Sequence, residues 1–353
     1  MLNRFFHFLE EIVNEFSAPA VLFALSGAVA FGFLLALVLA LTLLLALPAC
    51  RADTGVGRTL RVGVALYQQE DTFIETVTRE LQRAALETGD GQGIKINLYI
   101  ADGKESQATQ NEQVDRFLER GYDVICVNVV DRTAAAVIID KAQTADVPVI
   151  FFNREPVEED LRRWQHAYYV GLPAGDAGVL QGELVLDAWQ SRRNELDRNG
   201  DGVLQYVMLE GEPGHQDALL RTEYSISTLI KTGVSTEKLA SAAANWQRGQ
   251  AGIRMRQWLR EFGDAIEVVF ANNDDMALGA IDALKAAGYF SAGRFMPVVG
   301  VDATVAAQTA LRQGSLLGTV LNDDVNQAKA ALRLAVLLIR GEDIQTETLG
   351  YPL

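Results

Sequence analysis

The sequence predicts an α/β protein of two doubly wound parallel-sheet lobes with a hinge between them, set behind an apolar N-terminal segment. Three observations carry that reading. About 300 residues follow the apolar segment, more than one compact core uses and well suited to two domains. Apolar runs of strand length alternate with stretches of helical spacing through both halves of that length, as parallel sheets with crossover helices require. The conspicuous polar residues fall just after the apolar runs, where open α/β sheets bind ligands.

Residues 16–50 carry no charged side chain and end in Leu47-Pro-Ala-Cys50 before Arg51. The stretch is longer than a secretory core of about 15 residues and reaches the roughly 20 that span a bilayer. Two readings stay open: a signal ending at a lipidated Cys50, or an uncleaved anchor. Either one places the rest of the chain outside the cell membrane, in the periplasm or on the membrane's outer face. Residues 1–15, with Glu10, Glu11 and Glu15, are long and acidic for the start of such a signal.

Beyond a polar linker, residues 59–67 read as a buried strand and 71–86 as a helix, from apolar residues at helical spacing. Runs at 94–100, 124–129 and 147–152 read as strands, separated by helices at 107–120 and 133–145. The second half repeats the pattern, with strands at 204–209, 266–270, 297–301 and 316–321. Its helices fall at 174–191, after His215, and at 274–287, 305–312 and 325–340. The expected organisation is residues 1–58 as signal or anchor and linker, 59–147 with 323–353 as the first lobe, and 148–322 as the second.

A formal net charge of −15 argues against nucleic acid, whose binding draws on Lys and Arg against phosphates. Cys50 and Cys126 lie in unlike contexts and suggest neither a disulfide framework nor a zinc site. Cys126 reads as a small buried apolar residue. His7 and His166 have no motif around them.

Asp71, Phe73, Asn128, Asp131, His215, Asp217, Arg221, Trp246, Asn273, Asp274, Asp302 and Asn322 stand at or near strand ends. Carboxylates, amides and a guanidinium suit a ring of hydroxyls, and aromatic faces suit the C–H faces of a sugar. Taken singly, an Asp or Asn after a strand is more simply a helix N-cap, and Asp131 and Asp274 fit that role. Trp246 alone would be core. Capping does not require so many polar groups at so many strand ends, so together they point to a polar cleft.

Asp197-Arg-Asn-Gly-Asp-Gly-Val-Leu-Gln205 places oxygen-bearing residues at alternate positions with Gly202 at the sixth, as a calcium loop opens. Met208 at the twelfth position rules out an ordinary EF-hand. A plain Asp/Asn/Gly turn is the alternative.

The blocks from Tyr67 to Phe73, Asn128-Val-Val-Asp131, Val149-Ile-Phe-Phe-Asn-Arg-Glu-Pro156, Tyr168-Tyr-Val-Gly171, Gly211-Glu-Pro-Gly-His-Gln-Asp217, Ala271-Asn-Asn-Asp274, Val299-Gly-Val-Asp302 and Gly318-Thr-Val-Leu-Asn-Asp323 occur in this order. Over residues 60–340 they resemble the periplasmic galactose/glucose-binding family, of the type 1 periplasmic binding protein fold. The resemblance implies a non-enzymatic protein that closes on D-galactose or D-glucose. Asp71 would accept from the O4 hydroxyl in either epimer, and Phe73 and Trp246 would sandwich the ring. Asn128, His215, Asp217, Arg221, Asn273, Asp302 and Asn322 would bond the other hydroxyls. Departures at Gln68-Gln-Glu-Asp-Thr72 leave the preferred epimer open.

The resemblance also implies a structural Ca²⁺ held by Asp197, Asn199, Asp201, the Val203 carbonyl, Gln205 and Glu267. Its expected partners are the permease of an ABC sugar importer and a chemoreceptor. In the family the chain crosses between lobes three times, and this sequence stops near the third crossing, so a final strand of the second lobe is expected to be missing. A membrane-tethered sugar sensor is the alternative function. A sugar-responsive regulator would carry a basic helix-turn-helix where this chain is apolar, and an acid–base pair drawn from His215 and Asp217 or Asp302 is already accounted for by hydroxyl recognition.

Overall fold

The computed structural model describes residues 59–92, 94–291, 293–342 and 344; the apolar segment and Cys50 lie outside them. Two five-stranded parallel sheets form the frame. The first contains β1 (Thr59–Leu66), β2 (Lys95–Asp102), β3 (Val124–Val127), β4 (Val149–Phe152) and β5 (Ala167–Val170), in the order β2-β1-β3-β4-β5. Its helices are α1 (Thr72–Gln92), α2 (Gln107–Glu119) and α3 (Ala135–Ala145). Two short crossings, at residues 171–173 and 322–323, join it to the second lobe.

The second lobe runs α4 (Ala174–Ser191), β6 (Val203–Glu210), α5 (Gln216–Lys231), β7 (Ser235–Ala243), α6 (Arg248–Glu261), β8 (Val268–Ala271), α7 (Asp274–Ala286), β9 (Val298–Asp302), α8 (Val305–Arg312) and β10 (Gly318–Leu321). Its sheet order, β7-β6-β8-β9-β10, repeats the first lobe's order strand for strand. The chain then returns as α9 (Asp324–Arg340), which packs on α1 and buries Ala328, Leu332 and Ala335 in the first lobe's core.

Central strands of parallel sheets are covered on both faces, which is why they read as unbroken apolar runs. β3, β4 and β8 are buried at every position. Alternate residues of β3 serve opposite cores, Val124 and Cys126 one face and Ile125 and Val127 the other. Cys126 is fully buried as expected, and desolvation pushes its thiol pKa up to about 12. Helix starts follow ordinary capping rules. Asn273 Oδ1 accepts from the Met276 N–H, with Asp274 and Asp275 in the first turn and Lys285 in the last. The cap is therefore Asn273, one residue before the expected Asp274; Asp131 does cap its turn, accepting from the Thr133 N–H.

The structure moves the lobe boundary. The expected break at 147/148 would give β4 and β5 to the second lobe, yet β4 pairs with β3 and β5 with β4, so the first sheet runs to Val170. Among the described residues no helix is long and apolar enough to cross a membrane.

Candidate functional site

Both sheets turn their carboxyl edges toward one cleft. Nine of the ten proposed sugar contacts line it: Asp71 and Phe73 from the first lobe, His215, Asp217, Arg221, Trp246, Asn273 and Asp302 from the second, and Asn322 from a crossing. Tyr67, Ile74, Asn153 and Arg154 line it as well.

On the first lobe, Asp71 is both a cap and a pocket residue. Its Oδ1 accepts from the Ile74 N–H at 2.8 Å and its Oδ2 from the Tyr67 hydroxyl at 2.6 Å. Capping and recognition are thus not exclusive, because a carboxylate has about four acceptor sites. Phe73 and Trp246 enter the cleft from opposite lobes. Trp246 owes its place to Gly211, where a Cβ would fall 2.2 Å from the indole. Backbone at three lining positions is left-handed: Asn153 has φ 61°, Trp246 63° and Asp302 116°. Such conformations cost about 1–3 kcal/mol each for residues with a Cβ and concentrate at ligand sites.

The second lobe supplies the buried charge. Arg221 Nη2 donates to Asp217 Oδ2 at 2.8 Å and Nη1 to the Asn272 carbonyl at 2.9 Å, while its Nε is buried without an acceptor. Burial raises the Asp217 pKa against the opposing pull of Arg221. Asp302 is held well above the usual carboxylate range, first by desolvation, although Arg221 and the Asn322 amide oppose it. His215 is pushed well below its ordinary value by burial and by Arg154 and Arg221. It is a neutral ring, and its 3.9 Å approach to Asp217 is not an ion pair. Its Nδ1 accepts from the Asp217 N–H at 3.1 Å, which assigns the ring proton to Nε2. The Trp246 indole N–H is likewise buried with no acceptor.

Asn128 is the exception to the expected set. It is fully buried behind the cleft, where its Oδ1 accepts from the Tyr67 N–H and its Nδ2 donates to the Phe152 carbonyl and to Asn153 Oδ1. The internal repeat explains why. Asn272 occupies the same place in the second lobe, just past the third strand, and its Oδ1 accepts from the Gly211 N–H just past the first strand. Both asparagines tie the first and third strands where the strand order reverses, and neither faces the ligand space. Asn153, one strand over at the end of β4, is the amide that reaches it. The sequence signal was the matching of Val127-Asn128 with Ala271-Asn272 between the two halves.

The proposed metal residues gather around the loop at residues 197–205. Gly202 N–H donates to Asp197 Oδ2, Asp201 N–H to Asn199 Oδ1 and Val203 N–H to Asp201 Oδ1, which curls the loop. Glu267, just before β8, accepts from the Arg198 and Gln205 N–H groups, and desolvation raises its pKa. Asp197 Oδ1 and Gln205 Oε1 are buried acceptors with no donor. Among the described residues no three His, Cys, Asp or Glu side chains cluster closely enough to hold a metal by themselves. Amide and carbonyl oxygens would have to complete any shell.

Two lobes of one topology around a polar, aromatic-lined cleft define a solute-binding protein. The chain belongs to the periplasmic binding protein family, whose domain model matches residues 62–343; members bind solutes outside the cytoplasm and catalyse no reaction. It is similar to the D-galactose/methyl-galactoside binding periplasmic protein MglB of Haemophilus influenzae, 40% identical over 80% of this chain and 82% of that protein. A xylitol-binding protein of Mycolicibacterium smegmatis is 30% identical over 86% and 79% of the two chains. Among solved structures, an ABC transporter solute binding protein of Bacillus halodurans with bound myo-inositol superposes with a TM-score of 0.67 at 29% identity, covering 82% of this chain and 91% of that one.

Proposed function

We propose that this chain binds D-galactose or D-glucose between its lobes and delivers the sugar to the permease of an ABC importer. The observation that carries the reading is the convergence of Asp71, Asp217, Arg221 and Asp302 with Phe73 and Trp246 in one cleft. The orphaned Arg221 Nε and Trp246 Nε1 strengthen it, because a buried donor without an acceptor costs about 1–3 kcal/mol that a bound hydroxyl offsets. Among the relatives, a galactoside-binding protein is 40% identical, while others bind polyols of similar hydroxyl density. Membrane attachment through Cys50 or the apolar segment is carried by the sequence.

Calorimetric titration of the full chain with galactose, glucose, ribose and xylitol tests the assignment. The two hexoses should bind at least about tenfold more tightly than the pentose or the pentitol. Preference for ribose or xylitol would reassign the substrate class.

The same reading includes a structural Ca²⁺ at the 197–205 loop. Two buried acceptors without donors, Asp197 Oδ1 and Gln205 Oε1, are what an oxygen-binding cation would satisfy. Asn199, Asp201, the Val203 carbonyl and Glu267 would supply the other oxygens. The ion would tie the loop to β8.

A further inference from the structure

A series of contacts joins the two lobes through the sugar site, and hydroxyl recognition makes no use of it. Arg154, just past β4 of the first lobe, is 5% exposed. Its guanidinium carbon lies 3.4 Å from the centroid of the Tyr67 ring. Nη1 donates to the Val130 carbonyl at 3.0 Å, within the same lobe. Nη2 donates at 3.0 Å to Glu212 Oε1, which belongs to the second lobe. The Arg154 and Glu212 side chains are 6% and 28% exposed, so water screens this pair less than a surface ion pair. On its other side, Tyr67 donates its hydroxyl to Asp71 Oδ2.

We propose that Arg154 is a positioning residue that transmits lobe closure to Asp71: pairing with Glu212 across the cleft fixes the guanidinium on Tyr67, and Tyr67 fixes the carboxylate that meets the sugar. The inference rests on the sugar-binding reading above. Glu212 can meet Arg154 only when the lobes are together, so the ion pair belongs to the closed form. In that form Tyr67 is clamped between a cation on its face and a carboxylate at its hydroxyl. The proton on the Tyr67 oxygen is committed to Asp71 Oδ2, and the Ile74 N–H to Oδ1. Asp71 then offers the ligand only its remaining lone pairs, in a fixed direction. A lysine at 154 would keep the charge but lose the planar stack and the forked donors. Among the described residues two other hydrogen bonds cross the cleft, Thr72 to Asp275 and Gln216 to Glu155, but neither is an ion pair and neither touches Tyr67.

The test is stopped-flow sugar binding with the full chain in mild detergent, comparing wild type, Glu212→Gln, Arg154→Lys and the double variant. Glu212→Gln should raise the dissociation rate about tenfold and leave association within about twofold, as expected when one partner of a buried charge pair is removed. Arg154→Lys should give a loss of similar size, and the double variant should be no worse than the weaker single variant, because both act through one pair. The melting temperature of Glu212→Gln without sugar should match wild type within about 1 °C, since that variant removes only the pair across the cleft, which is absent from the open form. A merely structural pair would lower that temperature and leave the dissociation rate alone. Wild type that binds no sugar overturns the functional reading together with this inference. Wild type that binds sugar while Glu212→Gln dissociates at the parental rate, or singles that add fully in the double variant, overturns the inference alone.

Discussion

The two faces of the cleft are built from the same topology but carry different electrostatics. On the first lobe, Asp71, Asn153 and Arg154 all have hydrogen-bond partners within the protein. On the second, Asp217 and Asp302 carry carboxyl groups raised by burial, and Arg221 and Trp246 hold buried donors with no acceptor. The difference teaches that a repeated scaffold need not divide recognition equally. The second lobe stores unmet polar demand that a ligand relieves, whereas the first presents a finished surface that closes over it.

The largest effect follows from that asymmetry. Replacing Arg221 or Trp246 by alanine should weaken hexose binding about 100-fold or more, because each removes ligand contacts from the face that depends on them. Phe73→Ala, which takes only an apolar plate from the finished face, should cost about tenfold. Titration calorimetry of the three variants decides the matter. Equal losses on both lobes would erase the distinction drawn here.

How much of this was legible beforehand follows the same physics. The buried strands of both sheets were readable as apolar runs because both of their faces are covered. β7, with the burial pattern of a half-exposed edge, and the short β5 gave no such run and went unassigned; the lobe boundary was misplaced even though β4 was legible, because an apolar run does not say which sheet its strand joins. The helix α6, whose mean hydropathy is low and whose buried residues are few, was also missed. In the site, residue types at strand ends identified nine of the lining groups. Sequence could not tell Asn128 from Asn153, since both follow apolar strands; what separates them is that one lies at the strand-order reversal and the other has a left-handed backbone that aims it outward. Tyr67 and Arg154 were visible within the blocks that carry the resemblance but have no signature of their own, because their roles arise from a contact between side chains 87 positions apart in the chain.

The 197–205 loop, proposed to hold Ca²⁺, sharpens the comparison from outside the cleft, since it belongs to the asymmetric second lobe and has no counterpart among the described residues of the first. Chelation should lower the melting temperature by about 2–8 °C, the shift that a loss of about one to two kcal/mol gives in a domain of this size. Hexose affinity should change less than about threefold, because none of the loop residues lines the sugar cleft. A melting temperature that ignores chelator would remove the metal from the proposal and leave the sugar site intact.

The smallest expected effect is a pH dependence, and its sign is fixed by the second lobe's carboxyls. Asp302 is raised well above its ordinary 3.8 by burial, and its neighbour Asp274 to about 6, also by burial and against the bonds it accepts from Thr319 and Thr304. Between 3.8 and about 6 the folded chain therefore binds more protons at Asp274 than the unfolded chain does. The contribution of that group to stability falls as pH rises through the window and is fully lost above it. Sugar acts in the opposite sense on Asp302, because a hydroxyl donating to it favours the ionised form and so lowers its pKa. Binding should release protons, and affinity should fall as pH is lowered and Asp302 takes up its proton. Calorimetry in two buffers of different ionisation enthalpy measures that release directly. Asp302→Asn should bind weakly but with a flat pH profile; an Asn variant that kept the wild-type slope would mean that the titrating group lies elsewhere, and would take from the second lobe the charge imbalance that sets it apart from the first.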